Sequence, residues 1–251
     1  MPKFFVCSDI HSFYTPFKKA LDEKGFDPNN EDHWLIVCGD CFDRGPDSGL
    51  LLKFLMQLER KIIVKGNHDI LLEELCMREF PYSYDISNGT VATIQDLGDM
   101  GMGYPFDECC QRTWNKTAAY RSLLVNYFET QNYIFVHSWI PVNPKGVDTY
   151  TYREDWREAT DEEWEKYAMW GNPFFMSQDG LNETGKTIIF GHWNCSTGYA
   201  MDSGYEIGEF EPKSIWDPYF NKETKIIGID RCVAYTGELN VIVVEDEFIN
   251  G

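Results

Sequence analysis

A chain of 251 residues with 41 Asp and Glu against 22 Lys and Arg carries a formal net charge of -19. That balance excludes a nucleic-acid polymer as the expected partner, because phosphate backbones are held by excess Lys and Arg. The length suits one sizeable core, so a single domain over residues 1–251 is expected.

The first predicted element is KFFVC (3–7), a β-branched and aromatic run, followed by WLIVC (34–38) and KIIVK (61–65). Apolar residues at helical spacing predict helices over 14–24, over 47–60 (Leu51, Leu52, Leu55, Leu58) and from ILLEELCMREF onward. A helix over about 113–131 is predicted next, then the strand YIFVH (133–137). Another helix should follow Thr160, where TDEE reads as a capping box closed by Glu163. TIIFG (187–191), KIIGI (225–229) and NVIVV (240–244) complete the predicted strands. These runs are continuous rather than alternating, as expected of strands covered on both faces. The order strand, helix, strand, helix predicts a layered α/β fold with a largely parallel start.

Residues 148–165 concentrate Asp148, Glu154, Asp155, Glu158, Asp161, Glu162, Glu163 and Glu165. They read as the solvated face of an acidic, partly helical insertion around 140–185. No run approaches the roughly 18 apolar residues of a membrane span, and MPKFFVCSD has no leader pattern. A soluble, cytoplasmic protein without a membrane partner is expected, its eight cysteines reduced. Cys38 and Cys41 form a CxxC, but no second CxxC accompanies it and Cys38 closes an apolar run, so a small buried hydrophobe is the expected reading.

The residues just past each apolar run are the informative feature. The first run is followed by Asp9 and His11, the second by Asp40 and Asp43, and the third by Asn67 and His68; the fourth ends in His137 and the fifth delivers His192. In an open α/β sheet, functional groups gather outside the carboxyl ends of the strands, so residues scattered in sequence would converge. Carboxylate and amide oxygens mixed with imidazoles suit borderline divalent ions. Asp40, in the tight turn after its strand, is the candidate to bridge two of them. Two metals would activate water and clamp both oxygens of a phosphoryl transfer, so the expected reaction class is metal-assisted hydrolysis of a phosphoester or anhydride.

SDIHS (8–12), GDCFDRG (39–45), GNHD (66–69), VHSWIP (136–141) and FGHW (190–193) resemble the five ordered blocks of the calcineurin-like metallophosphoesterases. The likeness is to the phosphoprotein phosphatase branch, which contains serine/threonine phosphatases and symmetrical diadenosine tetraphosphate hydrolases. KIIGIDRCVAYTGELNVIVVE (225–245) is similar to the family's closing strands. The resemblance implies a four-layer sandwich of two mixed β-sheets flanked by helices. It implies a first metal site of Asp9 and His11, a second of Asn67, His137 and His192, and a bridging Asp40. Two divalent ions are expected, Mn first, with Fe, Zn, Ni or Co as alternatives. His68 falls on the general acid, Asp43 on the carboxylate that orients it and Arg44 on the phosphate-gripping arginine. A neighbouring carboxylate raises a histidine's pKa and fixes its tautomer, and a guanidinium grips phosphoryl oxygens in pairs, so the chemistry agrees with these roles.

The expected activity is hydrolysis of phosphomonoesters by metal-activated hydroxide. Symmetrical dinucleoside tetraphosphate hydrolysis is the alternative, and a non-catalytic binding module is a more distant one. The substrate would be a phosphoprotein, a small phosphoester or a dinucleoside polyphosphate. Several positions depart from the family pattern. Ser8 and Ser12 replace glycines, tolerable where the backbone stays at negative φ. Asp69 and Trp193 look more like the tetraphosphate hydrolases, whereas Asp43-Arg44-Gly45 looks more like the protein phosphatases. MWGNPF (169–174) has Asn172 where many bacterial relatives carry a second phosphate-binding arginine. Arg112, Arg121, Arg153 and Arg231 are the candidates to replace it. Trp139, Trp170 and Trp193 could stack on a base, but core packing is the expectation for them.

Overall fold

The computed structural model describes residues 1–99, 103–146, 149–181, 183, 185–203 and 225–249. The first half runs β1 (Lys3–Cys7), α1 (Tyr14–Glu23), β2 (His33–Cys38), α2 (Ser48–Gln57), β3 (Lys61–Val64) and α3 (Asn67–Arg78). Four helices follow: α4 (Ser83–Asn88), α5 (Thr90–Leu97), α6 (Phe106–Lys116) and α7 (Ala118–Arg121). Next come the strands β4 (Leu124–Val125), β5 (Phe128–Glu129), β6 (Tyr133–Phe135), β7 (Val142–Gly146) and β8 (Thr149–Tyr152). The chain closes with α8 (Asp161–Tyr167), α9 (Pro173–Gln178), β9 (Thr187–Phe190), α10 (Cys195–Ser203), β10 (Lys225–Gly228), α11 (Val233–Thr236) and β11 (Ile242–Glu245).

The strands form two mixed sheets, ordered β11-β1-β2-β3-β4 and β10-β9-β6-β5, beside a β7-β8 hairpin. In the first sheet β1 to β4 run parallel and β11 returns antiparallel, pairing Phe4 with Val244. The second is parallel from β10 through β6, with β5 antiparallel. Side-chain alternation explains why the strand sequences read as continuous apolar runs. Phe5, Cys7, Leu35, Val37 and Ile63 face a core shared with α1, α2, α5 and α6. Phe4, Val6, Ile36, Cys38 and Val64 face the other way and meet Phe135 and Ile189 of the second sheet. The outer face of that second sheet packs Ile134, Ile188 and Phe190 against Trp139, Trp156, Trp164 and Phe174. The result is four layers, as expected, with burial of each such aromatic worth roughly 1.5–3 kcal/mol.

One predicted helix was misplaced. Instead of a helix over 113–131, α6 ends at Lys116 and α7 at Arg121, and Leu124 and Val125 then pair with Ile63 and Val64. The Thr117 hydroxyl bonds back to the Thr113 carbonyl at 2.8 Å where α6 stops. The edge of the first sheet claims the next apolar pair. The Thr160 capping box forms as read: the Thr160 amide donates to Glu163 Oε2 at 2.8 Å and the Glu163 amide to Thr160 Oγ1 at 3.3 Å. In the acidic stretch Glu154, Asp155, Glu158, Asp161 and Glu162 are exposed, while Glu163 pairs with Arg153 and Glu165 with Lys65. Asp148 lies outside the described residues.

Candidate metal centre

Five strand ends deliver the expected residues to one place. β1 is followed by Asp9 and His11, β2 by Asp40 and Asp43, β6 by His137 and β9 by His192, while Asn67 and His68 open α3 directly after β3. All eight are buried except His192, which is half-buried. The backbone is bent to present them: Asp9, His11, Ser12, Asp40, Asp43, Arg44 and His192 all have φ between 48° and 73°. Left-handed backbone at non-glycine residues is costly and clusters where function over-determines it. Ser12, at φ 59°, therefore does not keep the negative φ on which its tolerance was expected to rest; its hydroxyl is tied to that of Ser48 at 2.8 Å. Two glycines allow the loops to close up, because a Cβ on Gly39 would fall on the His137 ring and one on Gly66 would fall on Asp40 Oδ1.

Asp40 is the centre of the arrangement. Its Oδ1 lies 3.4 Å from His137 Nε2, and its Oδ2 lies 3.8 Å from His11 Nε2 and 3.9 Å from His68 Nε2. Two groups of potential ligand atoms, each within 4.8 Å of one another, share it: His11, Asp40 and His68, and Asp40, His137 and His192. Asp9 stands beside them, with Oδ1 3.9 Å from His11 Nε2 and Oδ2 accepting the His192 amide at 2.9 Å. Asn67 Oδ1 is 2.7 Å from His137 Nε2, which is 3.1 Å from His192 Nδ1.

Hydrogen bonding sets the tautomers. His11 Nδ1 donates to the Phe42 carbonyl at 2.9 Å and His137 Nδ1 to the Cys38 carbonyl at 3.0 Å, so each ring turns its Nε2 inward, the nitrogen that carries the lone pair when the imidazole is neutral. At His137 that nitrogen faces the Asn67 amide oxygen at 2.7 Å, two atoms that each offer a lone pair when the ring is neutral. A shared cation relieves such an arrangement, and the mixed oxygen and imidazole donors fit a divalent ion.

The electrostatics divide the histidines. Burial, reinforced by Arg44, holds His11 well below its ordinary pKa, and burial with His137 nearby lowers His192 to about 3. Burial alone would lower His68 as well, but the Asp40 and Asp43 carboxylates outweigh it and raise its pKa. His68 Nδ1 sits 2.7 Å from Asp43 Oδ2, and the exposed Arg44 brings Nη2 to 3.5 Å from His68 Nε2. Burial pushes the Asp9 carboxyl up to about 6, partly offset by His137. At Asp40 burial is overcome by the surrounding imidazoles, led by His137, and the carboxyl is held low.

Several supporting residues had no signal in the sequence. Thr90 donates to Asp43 Oδ2 at 2.7 Å, and Thr93 Oγ1 accepts the Asp43 amide at 3.1 Å; in sequence both are ordinary polar residues of a helix. Asp230 is buried, accepts the Cys232 amide at 2.6 Å, and has its pKa raised by burial and by Asp9. Asn172 caps α9, its Oδ1 accepting the Phe174 and Phe175 amides at 3.0 and 3.4 Å, which gives the departure a structural purpose. Among its proposed replacements, Arg121 lies over the Trp114 ring, Arg153 pairs with Asp155 and Glu163, and Arg231 pairs with Glu238. Arg112 is exposed on α6. Trp139 is core, as expected, whereas Trp170 and Trp193 are 50% and 39% exposed and are not. The two groups of potential ligands contain no cysteine, and Cys38 serves through its backbone carbonyl.

A family model for calcineurin-like phosphoesterases matches residues 2–226. A symmetrical bis(5'-nucleosyl)-tetraphosphatase of Buchnera aphidicola (strain 5A) is 41% identical over 73 residues, 29% of this chain and 26% of that protein. The enzyme of the same name from Aeromonas hydrophila is 45% identical over 65 residues, covering 26% and 23%. The matched stretch thus spans about a quarter of the length of these relatives. Among solved structures, one provisionally assigned as a diadenosine tetraphosphatase aligns over 100% of this chain and 97% of its own at a TM-score of 0.53 and 20% identity. A cold-active protein-tyrosine phosphatase of a psychrophilic Shewanella aligns over 98% and 76% at 0.53 and 13% identity. At these identities the structures speak for the fold.

Proposed function

The chain belongs to the calcineurin-like phosphoesterases, which are metal-dependent hydrolases, and from that premise we propose that it hydrolyses phosphomonoesters at the centre built on Asp40. The observation that carries the proposal is the sharing of Asp40 between two groups of potential ligands. In this reading Asp9 and His11 hold one divalent ion, Asn67, His137 and His192 hold a second, and Asp40 serves both. Mn is the expected metal, ahead of Fe, Zn, Ni and Co. When bound, two such ions would lower the pKa of a water molecule and offset phosphoryl charge.

The side chains of this chain supply the rest. Arg44, exposed at the mouth, grips phosphoryl oxygens through its planar guanidinium. His68, favoured in its charged form by Asp40 and Asp43, passes its Nε2 proton to the leaving oxygen. Asp43 holds that ring through Nδ1, and Thr90 and Thr93 hold Asp43.

A second reading, hydrolysis of a symmetrical dinucleoside tetraphosphate at the same centre, is favoured by the names of the matched relatives. Trp193, exposed next to His192, offers a ring face to a base. Turnover of p-nitrophenyl phosphate, a phosphopeptide and diadenosine tetraphosphate under Mn distinguishes the two. A higher kcat/KM on either monoester supports the first; a strong preference for the dinucleotide replaces it with the second. Among the described residues no helix is long and apolar enough to cross a membrane, and the cytoplasm is the proposed location.

A further inference from the structure

We propose that Tyr120 is a positioning residue that locks the turn carrying Asn67 and His68 to the loop carrying Asp40 and Asp43. The inference rests on the phosphoesterase reading above and extends it to a helix outside the motif blocks. Tyr120 is 1% exposed on α7, and its hydroxyl donates to Asp69 Oδ1 at 2.8 Å. The other oxygen of Asp69 accepts the Gly66 amide at 2.9 Å, so this carboxylate closes the turn that starts α3. Burial, with Asp69 and Cys41 nearby, raises the phenol's pKa well above its ordinary value, so it stays a donor. Its ring meets Phe42 edge-on, with centroids 5.0 Å apart, and the Phe42 carbonyl is the acceptor for His11 Nδ1.

One buried side chain therefore touches both loops from behind the centre. The direct links between them, His68 amide to Asp40 Oδ1 at 3.0 Å and His68 Nδ1 to Asp43, use groups that the reaction itself needs. The chain from the Phe42 ring through Tyr120 and Asp69 to the Gly66 amide adds a link made of groups that the reaction itself does not use. Removing the hydroxyl leaves a buried carboxylate oxygen without its donor and loosens the turn, while the Arg44 grip on a phosphoryl group is untouched. The effect should fall on metal affinity and kcat rather than on KM.

Tyr120→Phe keeps the ring against Phe42 and deletes only the hydroxyl. In the full chain, isothermal titration with Mn should show about tenfold weaker binding, the lower end for partners that orient metal ligands. With Mn saturating, kcat on p-nitrophenyl phosphate should fall by about tenfold, with KM unchanged within a factor of about two. Asp69→Asn, which can accept from Gly66 or from Tyr120 but not from both, should repeat the pattern. The double variant should lose no more than the larger single loss, because both changes break one link. Parent Mn affinity and kcat in Tyr120→Phe, with only thermal stability reduced, would overturn the inference, as would fully additive losses. If Tyr120→Phe fails to fold by circular dichroism, Asp69→Asn decides alone, parent values again counting against the inference. A parent chain that neither binds Mn nor cleaves any phosphoester would overturn the functional reading itself, a distinct outcome.

Discussion

The loop after β1 and the start of α3 present two histidines to the same oxygen. His11 and His68 stand 3.8 and 3.9 Å from Asp40 Oδ2, with ring centroids 4.8 Å apart. Behind His11 is the Phe42 carbonyl; behind His68 is the Asp43 carboxylate. A carbonyl fixes the tautomer and adds no charge, so burial dominates at His11 and its lone pair stays available. A carboxylate fixes the ring and favours the imidazolium, so His68 is pushed toward holding a proton. The atom behind the ring, rather than the distance to Asp40, sets the two rings apart in the way the proposed roles of metal ligand and proton donor require.

The widest break in that contrast comes from removing what the two rings share. Asp40→Asn should empty both metal positions, read as metal content by mass spectrometry, and lower turnover by about 10³-fold or more. Next is His68→Asn, expected to leave metal content nearly intact while kcat falls by about 10² to 10⁴. Metal loss equal to that of Asp40→Asn would place His68 among the ligands instead. Asp43→Asn should cost less, about tenfold in kcat at neutral pH, within the range for a partner that orients a functional group. The sign of its pH effect follows from the raised pKa of His68. The acid form exists below that pKa, so losing the carboxylate lowers the pKa and moves the alkaline fall of kcat to lower pH. Thr90→Val is the mildest change. It removes the donor to Asp43 Oδ2, and since Oδ1 already has no hydrogen-bond partner, about 1–3 kcal/mol of stability should be lost in urea unfolding. With its charge less satisfied, Asp43 should act more strongly on His68, moving the alkaline limb up rather than down. A downward shift in Thr90→Val would break the account of how Asp43 works.

Much of the centre was legible in the sequence because its residue types are uncommon after apolar runs and recur in order. Asp9, His11, Asp40, Asn67, His137 and His192 converge because strand ends gather at one edge of each sheet, which topology guarantees. The seven apolar runs read clearly as strands, since both sheets are covered on both faces, whereas β5, β7 and β8 carry no such run and were not predicted. Leu124 and Val125 did not read as a strand, because theirs exists only through pairing with Ile63 and Val64, far away in sequence. Ser12 concealed its left-handed backbone, which is a property of the closed loop rather than of serine. Thr90, Thr93 and Tyr120 were invisible because a helix residue that supports a distant carboxylate looks like any other polar or aromatic residue of that helix. Asn172 was legible as a departure, and only its bonds to the Phe174 and Phe175 amides reveal a helix cap.

The central claim is a two-ion centre organised on Asp40, and titration of the metal-stripped chain with Mn, followed by calorimetry alongside p-nitrophenyl phosphate turnover, tests it most directly. The account predicts two equivalents of Mn bound per chain and activity that appears as the second is taken up. A chain that binds no divalent ion and stays inactive after Mn is added would contradict it.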